Sequence, residues 1–141
     1  AWGRIFFLYG PRESRSRLIP SAINSLLRGD TFVCSHGHYI RDFMYVEDVA
    51  AAFVALLASD VTGAVNIASG NSFSLQYVIN TIASLLGKKS QVQFDAPSDD
   101  VDNTSELYAD VHRLHHEVGF HPLYDLDSGL SLTIESIVKT F

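Results

Sequence analysis

The chain has 141 residues, a formal net charge of −6, 47% hydrophobic residues and 18% charged residues. This composition can bury a core and excludes a disordered segment, and the acidic balance with scattered lysines and arginines argues against nucleic-acid binding. The single cysteine, Cys34, excludes an internal disulfide, favours a reducing, cytoplasmic compartment and is expected to be a small buried hydrophobic residue. The longest apolar stretch, residues 49–58, is too short to span a bilayer, and no signal peptide is evident.

In the first half of the chain, apolar runs alternate with helical patterns. Residues 4–9 (RIFFLY) form a continuous apolar run after one charge, which is typical of a strand buried on both faces. An arginine-rich loop follows, and Pro20 suits the first turn of a helix that continues to Arg28 and ends at Gly29. The other elements predicted in this half are a strand at 31–35, an extended run at 39–46 and a helix at 49–59.

The second half predicts shorter elements. Residues 64–68 (AVNIA) form a short buried strand, and Ser74 is a good N-cap for a helix over 75–86. The other elements predicted in this half are a strand at 91–94, a mobile acidic surface loop at 97–105, a helix at 111–118 and a last helix at about 127–140. Because no linker divides the chain, residues 1–141 are predicted to form a single unit.

The stretch 39–58 organises the chain, because an aromatic-rich extended run leads directly into an alanine-rich helix. Arg41 and Asp42 in the extended run are interpreted as a buried charge pair. Asp42 is also expected to orient Arg41 or to cap local backbone groups. The helix is entered through Glu47 and Asp48, and it is apolar nearly all round, so it is predicted to be well buried.

The order of the motifs is more informative than any one of them. Along the sequence they read RIFFLYGP, RLIP, IRDFMYVEDVAAA, VNIASG, SL, YAD, EVGFHP and SGLSLTIE. This order resembles the C-terminal part of the extended short-chain dehydrogenase/reductase family, the NAD-dependent nucleotide-sugar epimerases and dehydratases. The resemblance implies an α/β fold: the last strands of a Rossmann-type parallel sheet, near 4–10 and 64–68, plus a small mixed α/β substrate-binding lobe.

Two features of that family are missing from the sequence. No G-x-G-x-x-G or related glycine-rich turn occurs, although the family uses such a turn to hold the cofactor pyrophosphate. No tyrosine has a lysine four residues further on, so the family's acid–base pair is absent too. We therefore expect no catalytic residue and no cofactor-binding residue in this chain, although NAD(P) serves the family, and whether the chain belongs to an active enzyme stays open.

The resemblance implies substrate-binding positions at Arg17, Leu18, Arg41 and Ser74. An arginine can fork across the oxygens of a diphosphate, which suits Arg41 and Arg17. Each position also has an ordinary structural explanation: a carboxylate partner for Arg41, a solvated loop charge for Arg17, core packing for Leu18 and a helix cap for Ser74.

Several features depart from the pattern or invite another interpretation. Phe7 and Leu8 stand where relatives commonly carry a substrate-contacting Asn, and residues 90–108 contain no arginine but several acids. His112, His115 and His116 share helical spacing, yet without a matching cysteine or carboxylate pattern we predict no metal site and favour a solvated helix face.

Three functional hypotheses follow. The first is the nucleotide-sugar-binding part of an epimerase, dehydratase or reductase whose catalytic half lies elsewhere, as the absence of an initiator methionine suggests. The second is a stand-alone, non-catalytic ligand-binding or self-assembling domain. The third is an interaction module unrelated to sugars, in which Arg17, Arg41 and Ser74 would not share a cleft. We also expect the uncovered strand near residues 4–9, together with 64–68, to associate as a homodimer or with a missing Rossmann half.

Overall fold

The computed structural model describes residues 1–96 and 105–141. Its helices are α1 (Leu18–Arg28), α2 (Val46–Ala58), α3 (Leu75–Leu85) and α4 (Leu126–Val138). Its strands are β1 (Trp2–Ile5), β2 (Phe7–Tyr9), β3 (Phe32–Cys34), β4 (Ile40–Tyr45), β5 (Ala64–Ile67), β6 (Ser72–Ser74), β7 (Val92–Phe94) and β8 (Glu106–Leu107). A 3-10 turn covers Lys89–Gln91 and a π-helical turn covers Arg113–Glu117.

The strands pair mainly in parallel. β1 pairs with β5, β2 with β4, and β3 with β7, all in parallel, whereas β6 runs antiparallel to β4 and the short β8 adds to it in parallel. Parallel strands joined through helices are the mark of an α/β fold, so the predicted class is confirmed.

Strand β4 lies between two hydrophobic cores and contributes side chains to both. Successive side chains of a strand point to opposite faces. Phe43 and Tyr45 accordingly enter the larger core, whose other buried residues come mainly from α1, α3 and α4. Met44 points the other way, into a smaller core built with α2 and β5. The predicted importance of the stretch around β4 therefore has a structural basis: both cores depend on its register.

Local signals mark the ends of two helices as predicted. Gly29 ends α1 in the left-handed conformation, with φ of 85°. Ser74 caps α3, because its Oγ accepts a hydrogen bond from the Tyr77 amide at 3.1 Å. Cys34 is buried, as expected. The predicted helix at 111–118 is shorter than expected, since only the π-helical turn forms there.

Residues 4–9 do not form one strand buried on both faces, and that prediction is wrong. The run divides at Phe6: β1 pairs with β5, and β2 pairs with β4 in a different sheet. β1 is largely open to solvent, with Trp2 67% exposed and Ile5 45% exposed. β1 also has a strand neighbour on one edge only within the residues that the structure describes, so it lies at the margin of this part of the fold.

Helix α2 is likewise less buried than predicted. It packs Val49, Ala52 and Leu56 into the smaller core. Its outer side leaves Val54 67% exposed and Leu57 87% exposed. A helix that is apolar on all sides needs cover on all sides, and the described residues cover only one. None of the helices in these residues is long and apolar enough to cross a membrane. The acidic loop predicted at 97–105 lies, except for Ser105, outside the described residues.

Candidate functional site

Strand β4 aims Arg41 and Asp42 in opposite directions, so the predicted charge pair between them does not form. The two residues are adjacent in an extended strand, and alternation separates their side chains. Asp42 is buried and its carboxylate accepts three hydrogen bonds, from the amide of Ser69 at 2.8 Å, the hydroxyl of Ser69 at 2.6 Å and the amide of Gly70 at 2.9 Å. Asp42 thus fixes the loop after β5 to β4, the backbone-capping role expected of it.

Arg41 is held by carbonyl oxygens and aromatic rings. Its Nη1 donates to the carbonyl oxygens of Ile40 at 2.8 Å and Ser105 at 3.0 Å. Its guanidinium carbon lies 5.5 Å from the ring centre of Phe7 and 4.9 Å from that of Tyr39, within the range of cation–π attraction. No carboxylate among the described residues forms an ion pair with it. The guanidinium is therefore oriented without being neutralised in this part of the chain.

Arg17 and Leu18 stand at the start of α1. Arg17 is the N-cap residue by position, with extended backbone and no side-chain capping bond. Its side chain is mostly exposed, and its Nε lies 3.5 Å from Oε1 of Glu13. Leu18, the first residue of the helix, is half-buried and packs against the larger core. Both are positioned by the loop between β2 and α1.

One cleft collects these side chains. It has a volume of about 300 Å³ and contains Arg17, Leu18 and Arg41, three of the four predicted site residues. The other lining residues are Phe7, Leu8, Glu13, Ser16, Ile19, Phe43 and Leu75. Ser74 is not among them: it caps α3, and the next residue, Leu75, faces the cleft instead. A cleft lined by two cations and by several apolar side chains suits an anionic ligand that also carries an apolar or aromatic part.

The sequence reasoning missed Glu13. Its side chain is 14% exposed and lines the same cleft as the two arginines. Burial raises the pKa of Glu13, and the neighbouring Arg17 lowers it by less. The only signal in the sequence was a single acid among the three arginines of the loop, and nothing in that pattern distinguished a buried carboxylate from a solvated one.

The described residues fit poorly around the pyrophosphate of a dinucleotide. Such a group is held by free backbone amides at a glycine-rich turn after a strand. In the turn after β5, the amides of Ser69 and Gly70 are not free, because both donate to Asp42. The first turn of α2 carries Glu47 and Asp48, whose negative charge would oppose a phosphate there. No chemical step is therefore assigned to a cofactor held by these residues.

The histidines do not form a metal centre in the part of the chain that the structure describes. No group of three or more potential ligands is arranged there to hold a metal ion. His112 and His116 lie on the exposed side of the π-helical turn with ring centres 4.5 Å apart. His115 instead packs against His121 at 4.4 Å, and burial is the main cause that lowers the pKa of His115.

Comparison with known proteins gives consistent similarities. Residues 1–68 match the family model described as the NAD dependent epimerase/dehydratase family. UDP-glucuronic acid decarboxylase 6 of Arabidopsis thaliana is 29% identical over 94% of the chain and 39% of its own length. GDP-L-fucose synthase of Escherichia coli is 30% identical over 91% of the chain and 45% of its own length.

A solved structure extends this likeness to the fold. The UDP-N-acetylglucosamine 4-epimerase of Methanobrevibacter ruminantium, in complex with UDP-N-acetylmuramic acid, superposes with a TM-score of 0.86. It is 26% identical and is matched over 99% of this chain and 46% of its own. The chain thus spans less than half the length of each of these three relatives.

Proposed function

We propose that this chain, which belongs to the NAD-dependent epimerase/dehydratase family, is a nucleotide-sugar-binding portion of an enzyme that modifies sugar nucleotides. The diphosphate of the ligand would lie between Arg17 and Arg41. The base or the sugar would lie against the apolar part of the cleft, which includes Phe7, Leu18 and Phe43. The single observation that carries this proposal is the meeting of both arginines in one cleft.

The fixed orientation of the Arg41 guanidinium supports its proposed contact with the diphosphate. A guanidinium that is already oriented loses little freedom when a phosphate arrives, so more of the interaction energy appears as affinity. Arg41 is oriented by two carbonyl oxygens and two rings, while no described carboxylate competes for it. The described side chains that line the cleft carry a net charge of +1 when Glu13 is ionised, and this charge would attract an anion only modestly.

The proposal assigns binding, and not hydride transfer, to these 141 residues. The glycine-rich turn and the Tyr-x-x-x-Lys pair are absent from the sequence. Among the described residues that line the cleft, the one carboxylate is Glu13 and the basic residues are arginines, which stay protonated, so these residues offer no acid–base pair for a sugar carbon. Any NAD(P)-dependent chemistry would come from residues outside this chain, in the same protein or in another.

Calorimetric titration tests this assignment. The chain is titrated with UDP, GDP, dTDP and their glucose or mannose conjugates, and then compared with Arg41→Ala. Losing a charged, forked contact should weaken binding by about tenfold or more. Arg28→Ala is the matched control, because Arg28 pairs with Asp30 at the far end of α1 and lies outside the cleft. A folded chain that binds none of these compounds, or an Arg41→Ala variant that binds them equally, refutes the proposal.

A second candidate function, assembly with another polypeptide, is favoured by the exposed edge of β1. Trp2 and Ile5 on β1, and Val54 and Leu57 on α2, leave apolar surface uncovered. An open strand edge beside such a surface is a template for strand pairing. The partner would be a second copy of the chain or a Rossmann-type half. The side chains of Val65, Ile67 and Ala68 are already buried within the chain. The expected involvement of residues 64–68 would therefore use the backbone edge of β5, whose one strand neighbour among the described residues is β1.

Sedimentation at several concentrations tests assembly. We expect the chain to form a dimer that Leu57→Glu disrupts, because a charge in an apolar interface loses its hydration. Leu85→Glu is the control, since Leu85 is a similarly apolar, exposed residue on α3. A monomer at all concentrations, with an intact fold, would leave only the missing half as a partner. Dissociation by both variants alike would show that the contact does not involve this surface.

A further inference from the structure

Glu13 is held in the cleft by a turn that its sequence does not favour. The amide of Glu13 donates to the carbonyl oxygen of Gly10 at 3.4 Å, closing a turn through Pro11 and Arg12. Arg12 adopts a positive φ of 67°, a conformation that costs a non-glycine residue free energy. Backbone strain of this kind persists only where surrounding contacts enforce it. Here it delivers the Glu13 side chain to the wall of the cleft.

The Glu13 carboxylate is incompletely satisfied there. Oε1 lies 3.5 Å from the Arg17 Nε, longer than a good charged hydrogen bond. Oε2 is buried and has no hydrogen-bond partner among the described residues. A buried, unpartnered carboxylate oxygen disfavours the ionised form, which agrees with the direction of the pKa shift of Glu13.

Among the described residues, the other charged side chains that line the two clefts beside Glu13 are cationic. Glu13 borders the ligand cleft and a second cleft on the opposite side, between the loop and α4. The basic side chains of these two clefts are Arg17 and Arg41 in the first and Arg12, Arg15 and Lys139 in the second. Of these cations, Arg17 is the one that lowers the pKa of Glu13, against the larger effect of burial. When Glu13 is ionised, an incoming anion meets a negative charge beside Arg17.

We propose that Glu13 competes with the ligand's diphosphate for Arg17, and that Glu13 takes up a proton when the diphosphate binds. This inference rests on the proposed function. A diphosphate would draw Arg17 away from Glu13 and place two negative charges in the same cleft. Both changes disfavour the ionised carboxylate, whereas the protonated carboxyl can donate a hydrogen bond to a phosphate oxygen. Glu13 would then set affinity for anionic ligands according to pH.

The sign of the pH dependence follows from linkage. Binding raises the pKa of Glu13 further, so affinity is greatest below the pKa of the free protein. Affinity falls as pH rises between the pKa of the free protein and that of the complex, and then becomes constant. A nucleotide sugar is the suitable probe, because its diphosphate is substituted at both ends and does not titrate in this range.

Titration calorimetry with UDP-glucose from pH 5 to 8, in buffers of low and high ionisation enthalpy, tests the inference. The wild type should take up part of a proton, and Glu13→Gln should take up none at this site. At pH 8 Glu13→Gln should bind at least about fivefold more tightly, as expected for removal of one charge about 4 Å away. That gain should shrink in an Arg17→Ala background, where competition for Arg17 is absent and only the direct repulsion between Glu13 and the diphosphate remains. Glu117→Gln, in an exposed pair with Arg113, is the control.

Two results would overturn the inference while leaving the proposed function intact. One is wild-type binding with no proton exchange across the pH range. The other is weaker binding by Glu13→Gln, which would make Glu13 a direct ligand contact or a support for Arg17. If the folded wild type binds no nucleotide sugar at any pH, the proposed function fails and the inference fails with it.

Discussion

Replacing Asp42 should destabilise the protein strongly, and alanine should destabilise it more than asparagine. Its buried carboxylate accepts three short hydrogen bonds that join β4 to the loop after β5. In Asp42→Asn the remaining oxygen can keep both bonds from Ser69, but the new amide group faces the Gly70 amide, donor against donor. One buried donor is then unsatisfied and the charge is lost, which costs about 2 kcal/mol. Asp42→Ala loses all three bonds, leaves their donors unsatisfied and should cost about 3–5 kcal/mol.

Urea unfolding followed by circular dichroism measures both variants. With a slope of about 2 kcal/mol per molar urea, the midpoint should fall by about 1 M in Asp42→Asn and by about 2 M in Asp42→Ala. Asp60→Asn, at an exposed position after α2, is the control and should change stability by less than about 0.5 kcal/mol. A midpoint of Asp42→Asn equal to that of the control, or lower than that of Asp42→Ala, would refute the reasoning.

Three further predictions concern the backbone and the larger core. Arg12→Gly should be more stable than Arg12→Ala by about 1 kcal/mol in urea unfolding, since the positive φ strains only the alanine; equal midpoints would contradict this. Gly129→Ala should lower the thermal midpoint despite alanine's helix preference, because the new methyl group would overlap the Tyr9 hydroxyl; an unchanged midpoint would count against this packing. Burial, followed by the charge of Asp125, raises the pKa of Tyr9. The folded state therefore favours the neutral phenol, and this contribution to stability is complete below pH about 10 and is lost as pH rises above it. Tyr9→Phe should reduce that alkaline loss of stability, measured by urea midpoints from pH 9 to 11.

Signals that act over a few residues predicted the fold well. The positions of Gly29 and Ser74 mark helix ends whose geometry depends on neighbouring backbone groups alone. The alternation in β4 similarly follows from one extended strand. These features need no knowledge of distant residues, and they are the features that the sequence predicts correctly.

Features that depend on distant neighbours were missed. The exposure of Leu57 reflects what does or does not cover α2, and no pattern within the helix encodes that. Besides the adjacent carbonyl of Ile40, Arg41 contacts the carbonyl of Ser105 and the ring of Phe7, which are distant in sequence, and it does not pair with the adjacent Asp42. The burial of Glu13 results from a turn with an unfavourable residue in it. Local preference was overruled in each case by tertiary packing.

Residues 4–9 divide at Phe6 into β1 and β2, which are consecutive in the chain but lie in different sheets. The Phe6 amide still donates to the carbonyl oxygen of Ile67 at 3.2 Å, so the chain leaves β5 only at this point. One residue later, Phe7 pairs with β4 and lines the cleft that contains Arg17 and Arg41. The open edge of β1 and the wall of this cleft are thus joined by one short length of backbone. A partner that bound β1 and displaced it would also shift the cleft wall.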